Sequence, residues 1–335
     1  MENKRNNNSN NVNINYEGGI IMINRTIENV KDFAEVMKEM LEERMGMDTN
    51  VEMSNVSKNN GQVLVGLTIR EKDVNASPTI YVEDFFERYR LGDPINDLCD
   101  EVVDIYRRNK LENDVDISVV TDFEKAKKDI RFKLINAACN SDLLAEVPHR
   151  IVFDDLALIY YVTVEQRVIG RGTVTIRNEI MESWHTDEQT LFNLASNNTP
   201  RLDKGSVRSI SSVLMEMMEE KLDNENASEL FDLVVGADDV PLYVCSNESK
   251  VFGAATVLYD GLLSSFGRKL GSDFYILPSS VHEVLFVPAR DGIDVMELSQ
   301  MVREVNSTEV SVQDYLSDSV YYYSLEDDVV SIASC

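Results

Sequence analysis

Basic residues are scarce in this chain. Lys and Arg number 32 against 59 Asp and Glu, a formal net charge of −27 over 335 residues. Nucleic-acid binding by phosphate neutralisation needs a basic face, so direct nucleic-acid binding is not expected. A cationic partner, mimicry of a polyanion and simple solubility are the readings that the charge leaves open. Cysteines are few and far apart. Cys99, Cys139, Cys245 and Cys335 form no CxxC, which excludes a zinc or disulfide framework by spacing. They read as small buried hydrophobes in a reducing compartment, so a cytoplasmic setting is expected. Long apolar runs are missing too. The longest, Leu156–Val164, is too short to cross a bilayer, and no charged start followed by an apolar core and a cleavage site occurs, so secretion is not expected. Neither GxxxxGK[ST] nor GxGxxG nor HExxH occurs, so no cofactor is implied.

What is present is a well-patterned core. Hydrophobic residues make up 43%, enough for a folded chain. Residues 1–21 are Asn-rich and without periodicity, and read as a disordered or mis-annotated leader. From Ile27 to Leu41 apolar residues fall at helical spacing, with Gly46 as a stop. Asn60-Gly61 signals a type I′ hairpin, followed by period-two alternation over Val63–Arg70, a strand with one face on a core. A strand at Thr79–Val82 precedes two helices, the second opening at Asp93-Pro94 and carrying Leu98, Cys99, Val102 and Tyr106.

A second unit runs from a charged helix into a strand at Ile130–Ile135 and a β-rich run over Ile151–Val164. Gly170-Arg171-Gly172 reads as a turn. A capping box, Thr186-x-x-Gln189, opens a helix that stops at Asn197–Pro200, and a further helix carries Val207, Ile210 and Val213. The acidic link 223–229 reads as a boundary. Beyond it come strands at Leu242–Ser246 and Val251–Ala255, a helix at Leu262–Leu270, a hairpin over Phe274–Val287, a helix from Val295 and a strand at Val320–Tyr323. The expectation is an α+β fold with antiparallel or mixed sheets and packed helices, in units 22–118, 119–228 and 229–335.

Three constellations could carry chemistry. The first is the turn Ser279, Ser280, His282 and Glu283, where a hydroxyl two residues from a histidine would share its face on a strand. No GxSxG elbow or Gly-rich oxyanion loop accompanies it, so a capped structural turn is the competing reading. The second is a metal held by His149, His185 and His282 with Asp154, Asp155, Asp187 or Glu283. The scattered spacing supports no metal assignment. The third is His149-Arg150 with Asp155, a candidate anion fork whose alternative is a buried Arg150–Asp155 pair.

Several phrases taken together carry a resemblance. They are KNNG at Lys58–Gly61, SPTIYVEDFFERYRLG at Ser77–Gly92, PHRIVFDDLA at Pro148–Ala157, NEIMESW at Asn178–Trp184, LASNNTP at Leu194–Pro200 and ILPSSVHEVLFVP at Ile276–Pro288. From about Met22 to the end the chain resembles the bacterial family called domain of unknown function 5688, of anaerobic gut Firmicutes. The resemblance implies a bacterial, cytosolic setting. No activity is defined for that family, so it carries no catalytic residue across.

The same region bears on the start. Glu17-Gly18-Gly19 can be encoded with AAGGAGG, a ribosome-binding sequence, and Ile20-Ile21 is a short spacer before Met22. Translation from Met22 is therefore the expectation, with a real polar tail as the alternative. For function, the expectation is a non-enzymatic binding or interaction protein with a protein or small-molecule partner and no membrane association. The alternatives are a hydrolase or metal-dependent enzyme centred on His282 or His149, and an acidic polyanion mimic.

Overall fold

The computed structural model describes residues 11–16, 19–46, 48–72, 77–109, 118–166, 170–219, 241–290 and 292–333, with the backbone alone at 11–16, 19–25, 119, 165–166, 170–171 and 217–219. The acidic link 223–229 lies outside these residues. The chain divides into two compact units. Unit 1 takes in residues 1–58, 62–116 and 165–172, and unit 2 takes in 59–61, 117–164 and 173–335.

In unit 1, β1 (Asn11–Tyr16) and β2 (Gly19–Thr26) form an antiparallel pair, where no period was read in the sequence. Helix α1 (Val30–Met45) starts at Asn29, whose side chain accepts from the Lys31 and Asp32 N–H groups, and stops at Gly46. Its inner face buries Phe33, Met37, Met40 and Leu41. Strands β3 (Thr49–Ser57), β4 (Val63–Glu71) and β5 (Thr79–Tyr81) form an antiparallel sheet in that order. Asn60 and Gly61 both take positive φ, 59° and 68°, but the connection is not a two-residue type I′ turn. Ser57 pairs with Val63 and the Lys58 N–H donates to the Gln62 carbonyl, which leaves a three-residue 3-10 turn over Asn59–Gly61. Strand β4 is buried on both faces, not one. Leu64, Gly66 and Thr68 are covered as well as Val65, Leu67 and Ile69. The central position explains this, since Thr79 of β5 and Val56 of β3 close over Gly66. Helices α2 (Glu83–Leu91) and α3 (Ile95–Asn109) complete the core, with Phe33 against Phe86 and Tyr89 at 5.5 and 5.3 Å.

Unit 2 begins with two single turns, α4 (Ser118–Thr121) and α5 (Phe123–Ala126), then β6 (Arg131–Asn136), α6 (Ser141–Glu146), β7 (His149–Val152), β8 (Leu156–Gln166) and β9 (Gly170–Thr175). β8 lies between β6 and β7, antiparallel to both, and β9 also pairs with it. Helices α7 (Asn178–Ser183) and α8 (Glu188–Leu202) follow. Then come β10 (Gly205–Ser209), α9 (Ile210–Glu219), β11 (Tyr243–Asn247), α10 (Leu262–Leu270), β12 (Phe274–Pro278), β13 (Val284–Pro288), α11 (Val295–Thr308), β14 (Tyr321–Ser324) and β15 (Val329–Ile332). The second sheet has the order β10-β11-β13-β12-β14-β15, antiparallel throughout. The fold is α+β. One apolar cluster joins Phe132, Leu158 and Leu191 to Phe274, Phe286 and Tyr323, so the segments 119–228 and 229–335 share a core.

Several elements differ from the sequence reading. Val251–Ala255 is not a strand. Phe252 adopts a left-handed conformation and leads into a 3-10 turn over Gly253–Leu258. Val207 sits in β10, because residues 205–209 pair with Asn247–Tyr243 before the helix begins. The Gly170–Gly172 stretch is strand, since β8 offers it a partner. Helix α8 is capped by Asp187, which accepts from the Thr190 N–H, and it carries Pro200 in its last turn. It continues past Asn197 because Asn198 and Thr199 are held by β6 and the turn before it. Asn198 donates to the Lys127 and Ile130 carbonyls, and the Phe132 N–H donates to Thr199 Oγ1.

Candidate functional site

The turn between β12 and β13 is bonded to itself. The Ser280 N–H donates to the Glu283 carbonyl at 3.1 Å, the His282 N–H to Ser280 Oγ at 3.0 Å, and Ser279 Oγ to Glu283 Oε1 at 3.4 Å. Val281 is buried and its N–H reaches the Asp314 carbonyl at 2.8 Å. Both ring nitrogens of His282 are engaged elsewhere. The Phe252 N–H donates to Nδ1 at 3.2 Å, so the ring proton belongs on Nε2, which faces Asp314 Oδ1 at 3.2 Å. The ring stacks on Phe252 with centroids 6.0 Å apart and planes 13° from parallel. Ser246 Oγ donates to the His282 carbonyl at 2.7 Å. The histidine–carboxylate pair is therefore present without a nucleophile. Neither Ser279 nor Ser280 hydrogen-bonds the imidazole, as a serine hydrolase requires.

Phe252 connects this turn to the β6–β8 sheet. Its ring meets Tyr161 edge-on at 5.4 Å, and Lys133 Nζ stands 4.4 Å from its centroid and 5.9 Å from that of Tyr161. Burial pushes the Lys133 amine down to about 8 and the Tyr161 phenol up to about 12. Among the described residues Lys133 makes no hydrogen bond or ion pair to a carboxylate. Arg131, two positions earlier on the same face, is held by Asp129 Oδ1 at 2.5 Å, and Asp129 Oδ2 accepts from the Thr163 N–H at 2.6 Å. Sequence reasoning passed over Lys133. The available signal was the run Arg131-Phe132-Lys133-Leu134-Ile135, where a period of two places a lysine on a strand face between apolar neighbours.

The His149-Arg150 region is a clamp. His149 Nδ1 bonds the Val147 carbonyl at 3.0 Å. Arg150 is paired not with Asp155 but with Glu188. Its Nε and Nη2 reach the two carboxylate oxygens at 2.6 and 2.9 Å, and Nη2 also reaches Gln189 Oε1 at 2.6 Å. The guanidinium lies 3.8 Å from the Phe192 ring centroid, and the Tyr160 hydroxyl also donates to Glu188. The reason is register. Arg150 lies opposite Leu158 on the sheet face covered by α8, whose first residue is Glu188. Burial works to raise the Glu188 carboxyl, but the hydrogen bonds from Arg150 and Tyr160 outweigh it and hold it below its usual value. Asp155 accepts from Ser317 Oγ at 2.6 Å and the Tyr321 hydroxyl at 2.7 Å, tying the β7–β8 turn to the approach to β14.

The three histidines occupy separate settings. His149 is in β7, His282 in the β12–β13 turn, and His185 is exposed with φ 52° after α7. Among the described residues no group of three His, Cys, Asp or Glu side chains is placed to hold a metal ion.

A concave surface lies elsewhere in unit 2. A groove of about 500 Å3 is lined by Leu242, Val287, Ile293, Leu298 and Met301, with Asp294 and Glu297 and no basic residue among its described lining. Met301 and Val305, 46% and 42% exposed, continue the apolar surface along α11 at helical spacing.

Among the described residues no helix is long and apolar enough to cross a membrane. No curated protein and no solved structure matches the chain. The Family of unknown function (DUF5688) matches residues 30–325, most of the sequence, and the chain belongs to that family.

Proposed function

We propose that this chain is a binding protein and that the α11 groove receives an amphipathic, basic segment of a partner protein. The observation that carries this reading is the groove's composition. Its floor is apolar, from Leu242, Val287, Ile293, Leu298 and Met301, and its charged residues, Asp294 and Glu297, are both acidic. Methionine in such a groove adapts to more than one side-chain shape. The chain's −27 charge adds long-range attraction for a cationic partner. The hydrolase alternative gains no support from His282, whose ring nitrogens are taken by Phe252 and Asp314.

The test separates apolar docking from charge alone. A fluorescein-labelled Leu/Lys amphipathic peptide, its Leu/Glu counterpart and a plain oligolysine are titrated by fluorescence anisotropy at about 150 mM salt, where charge is screened beyond about 8 Å. The Leu/Lys peptide is expected to bind and the other two to bind weakly. Met301→Asp, at an exposed position, should weaken the Leu/Lys peptide about ten-fold, a change of about 1.4 kcal/mol. Pure electrostatic binding would instead strengthen, because the substitution adds a negative charge. No binding, or binding unaffected by Met301→Asp, overturns the proposal. Equal binding of oligolysine favours polyanion mimicry.

A further inference from the structure

The geometry points to Lys133 as a reactive amine that captures a small, largely apolar aldehyde or ketone as an imine, with Phe252 and Tyr161 as the walls of the site. This goes beyond the groove and does not depend on it. Three observations carry it. First, Lys133 sits in the middle of β6, partly buried, on a strand face where a lysine ordinarily needs a carboxylate. Second, among the described residues it has none. The carboxylates around these rings are committed, Asp129 to Arg131 and Thr163, Asp203 beside Tyr161 to Ser249, and Asp314 to His282 and Ser311. Third, its Nζ faces two aromatic rings, at 4.4 and 5.9 Å.

Aromatic faces favour an ammonium ion and burial disfavours it. Burial wins here, and the amine is held down to about 8. Its neutral form is then well populated near neutrality, as nucleophilic lysines require. The groups around it are Arg131 on the same strand face, Tyr161 opposite Arg131 on β8, His282 with Asp314 beyond Phe252, and His149 across Ile159 in register.

The step needs no cofactor. The nitrogen lone pair adds to the carbonyl carbon, a C–N bond forms, and the nitrogen proton passes to the oxygen. The carbinolamine then loses that hydroxyl together with the remaining N–H proton as water, and the nitrogen lone pair closes C=N.

The full chain is treated with limiting formaldehyde and cyanoborohydride from pH 6.5 to 10, and methylation is located by peptide mass mapping. At pH 7.5 an amine at about 8 has on the order of a hundred-fold more neutral form than an ordinary lysine. Lower basicity takes back part of that advantage. Lys133 is therefore expected to label about ten-fold or more faster than the surface lysines Lys38 and Lys250, with its half-maximal rate near pH 8. Lys58, whose Nζ stands 4.1 Å over the Tyr81 ring, is the reference for aromatic contact by itself. The measurement is made on the unaltered protein, so no variant has to fold. Labelling of Lys133 no faster than Lys38, or no labelling of Lys133, makes it a structural cation and overturns the inference.

Discussion

Gly253 has no side chain, and the knot around His282 closes because of it. A Cβ placed there would lie 2.1 Å from Ser246 Oγ, 2.4 Å from the His282 carbonyl oxygen and 2.8 Å from the Asn247 nitrogen. Two of these are backbone atoms and cannot rotate away. Gly253→Ala would therefore push the 3-10 turn off β11 and the β12–β13 turn. It would strain the Phe252 N–H bond to His282 Nδ1 and the Ser246 bond to the His282 carbonyl. The expected cost is about 2–4 kcal/mol, in the range of an overpacked core with a lost buried hydrogen bond. Urea unfolding measures it against Gly271→Ala. There a Cβ meets nothing within 4 Å and the strain is that of the left-handed backbone at φ 77° and ψ 16°, about 1 kcal/mol. A Gly253 variant no costlier than the Gly271 variant would show that the knot has slack. At this scale the sequence was legible only in part. The density of polar groups at Ser279–Glu283 was visible. Their commitment to one another, to Phe252 and to Asp314 was not, because those partners lie about 30 residues away on either side.

The joint between β7 and α8 is one charged clamp. Arg150, Glu188 and Tyr160 meet where the strand face is covered by the first turn of the helix. Because the folded state holds the Glu188 carboxyl low, its contribution is complete above the unfolded-state value of about 4.3. It is lost as pH falls through the lower folded value. Glu188→Gln should therefore cost about 1–3 kcal/mol at pH 7 and progressively less as pH falls below about 4.3. Denaturant unfolding at pH 7, 5 and 3 reads this directly, and a penalty that does not shrink with acid would mean that shape rather than charge is at stake. The clamp also shows how far elements could be read from the sequence. Period and capping residues located α1, α3, α10, β12 and β13, because each is set by neighbours within a turn or a hairpin. Partnership was not local. Arg150 is five residues from Asp155 but bonds a carboxylate 38 residues away, since period two aims adjacent strand residues at opposite faces. The same reason hid β10 and β15, whose pairing partners β11 and β14 supply what their own patterns lack. In the phrase LASNNTP a proline read as a stop. Asn198 and Thr199, bonded across to the start of β6, carry the helix past it.

At the scale of the whole molecule the question is whether local ion pairs or the net charge govern stability. The described ion pairs are mostly exposed. Arg70–Glu52 at 2.8 Å and Arg90–Glu87 at 3.1 Å have side chains about half or more in solvent. Exposed pairs contribute about 0–1 kcal/mol each, and salt weakens them. Against them stands an excess of 27 negative charges. At 10 mM ionic strength the Debye length is about 30 Å, so carboxylates repel well beyond their nearest neighbours. At 0.3 M it falls below about 8 Å and that repulsion is confined to close pairs. Repulsion sums over every pair of like charges in the folded chain and relaxes on unfolding, whereas the ion pairs act one at a time. Net repulsion should win. The melting temperature is expected to rise by several degrees between 10 mM and 300 mM NaCl, with most of the change below 150 mM, where the screening length shortens fastest. A sulfate series at matched ionic strength separates this screening from general salting-out, which keeps rising at high concentration. Differential scanning fluorimetry provides both curves. A melting temperature that falls with NaCl would reverse the order, and would mean that the 32 basic residues are placed among the acids well enough for local pairing to outweigh the net charge.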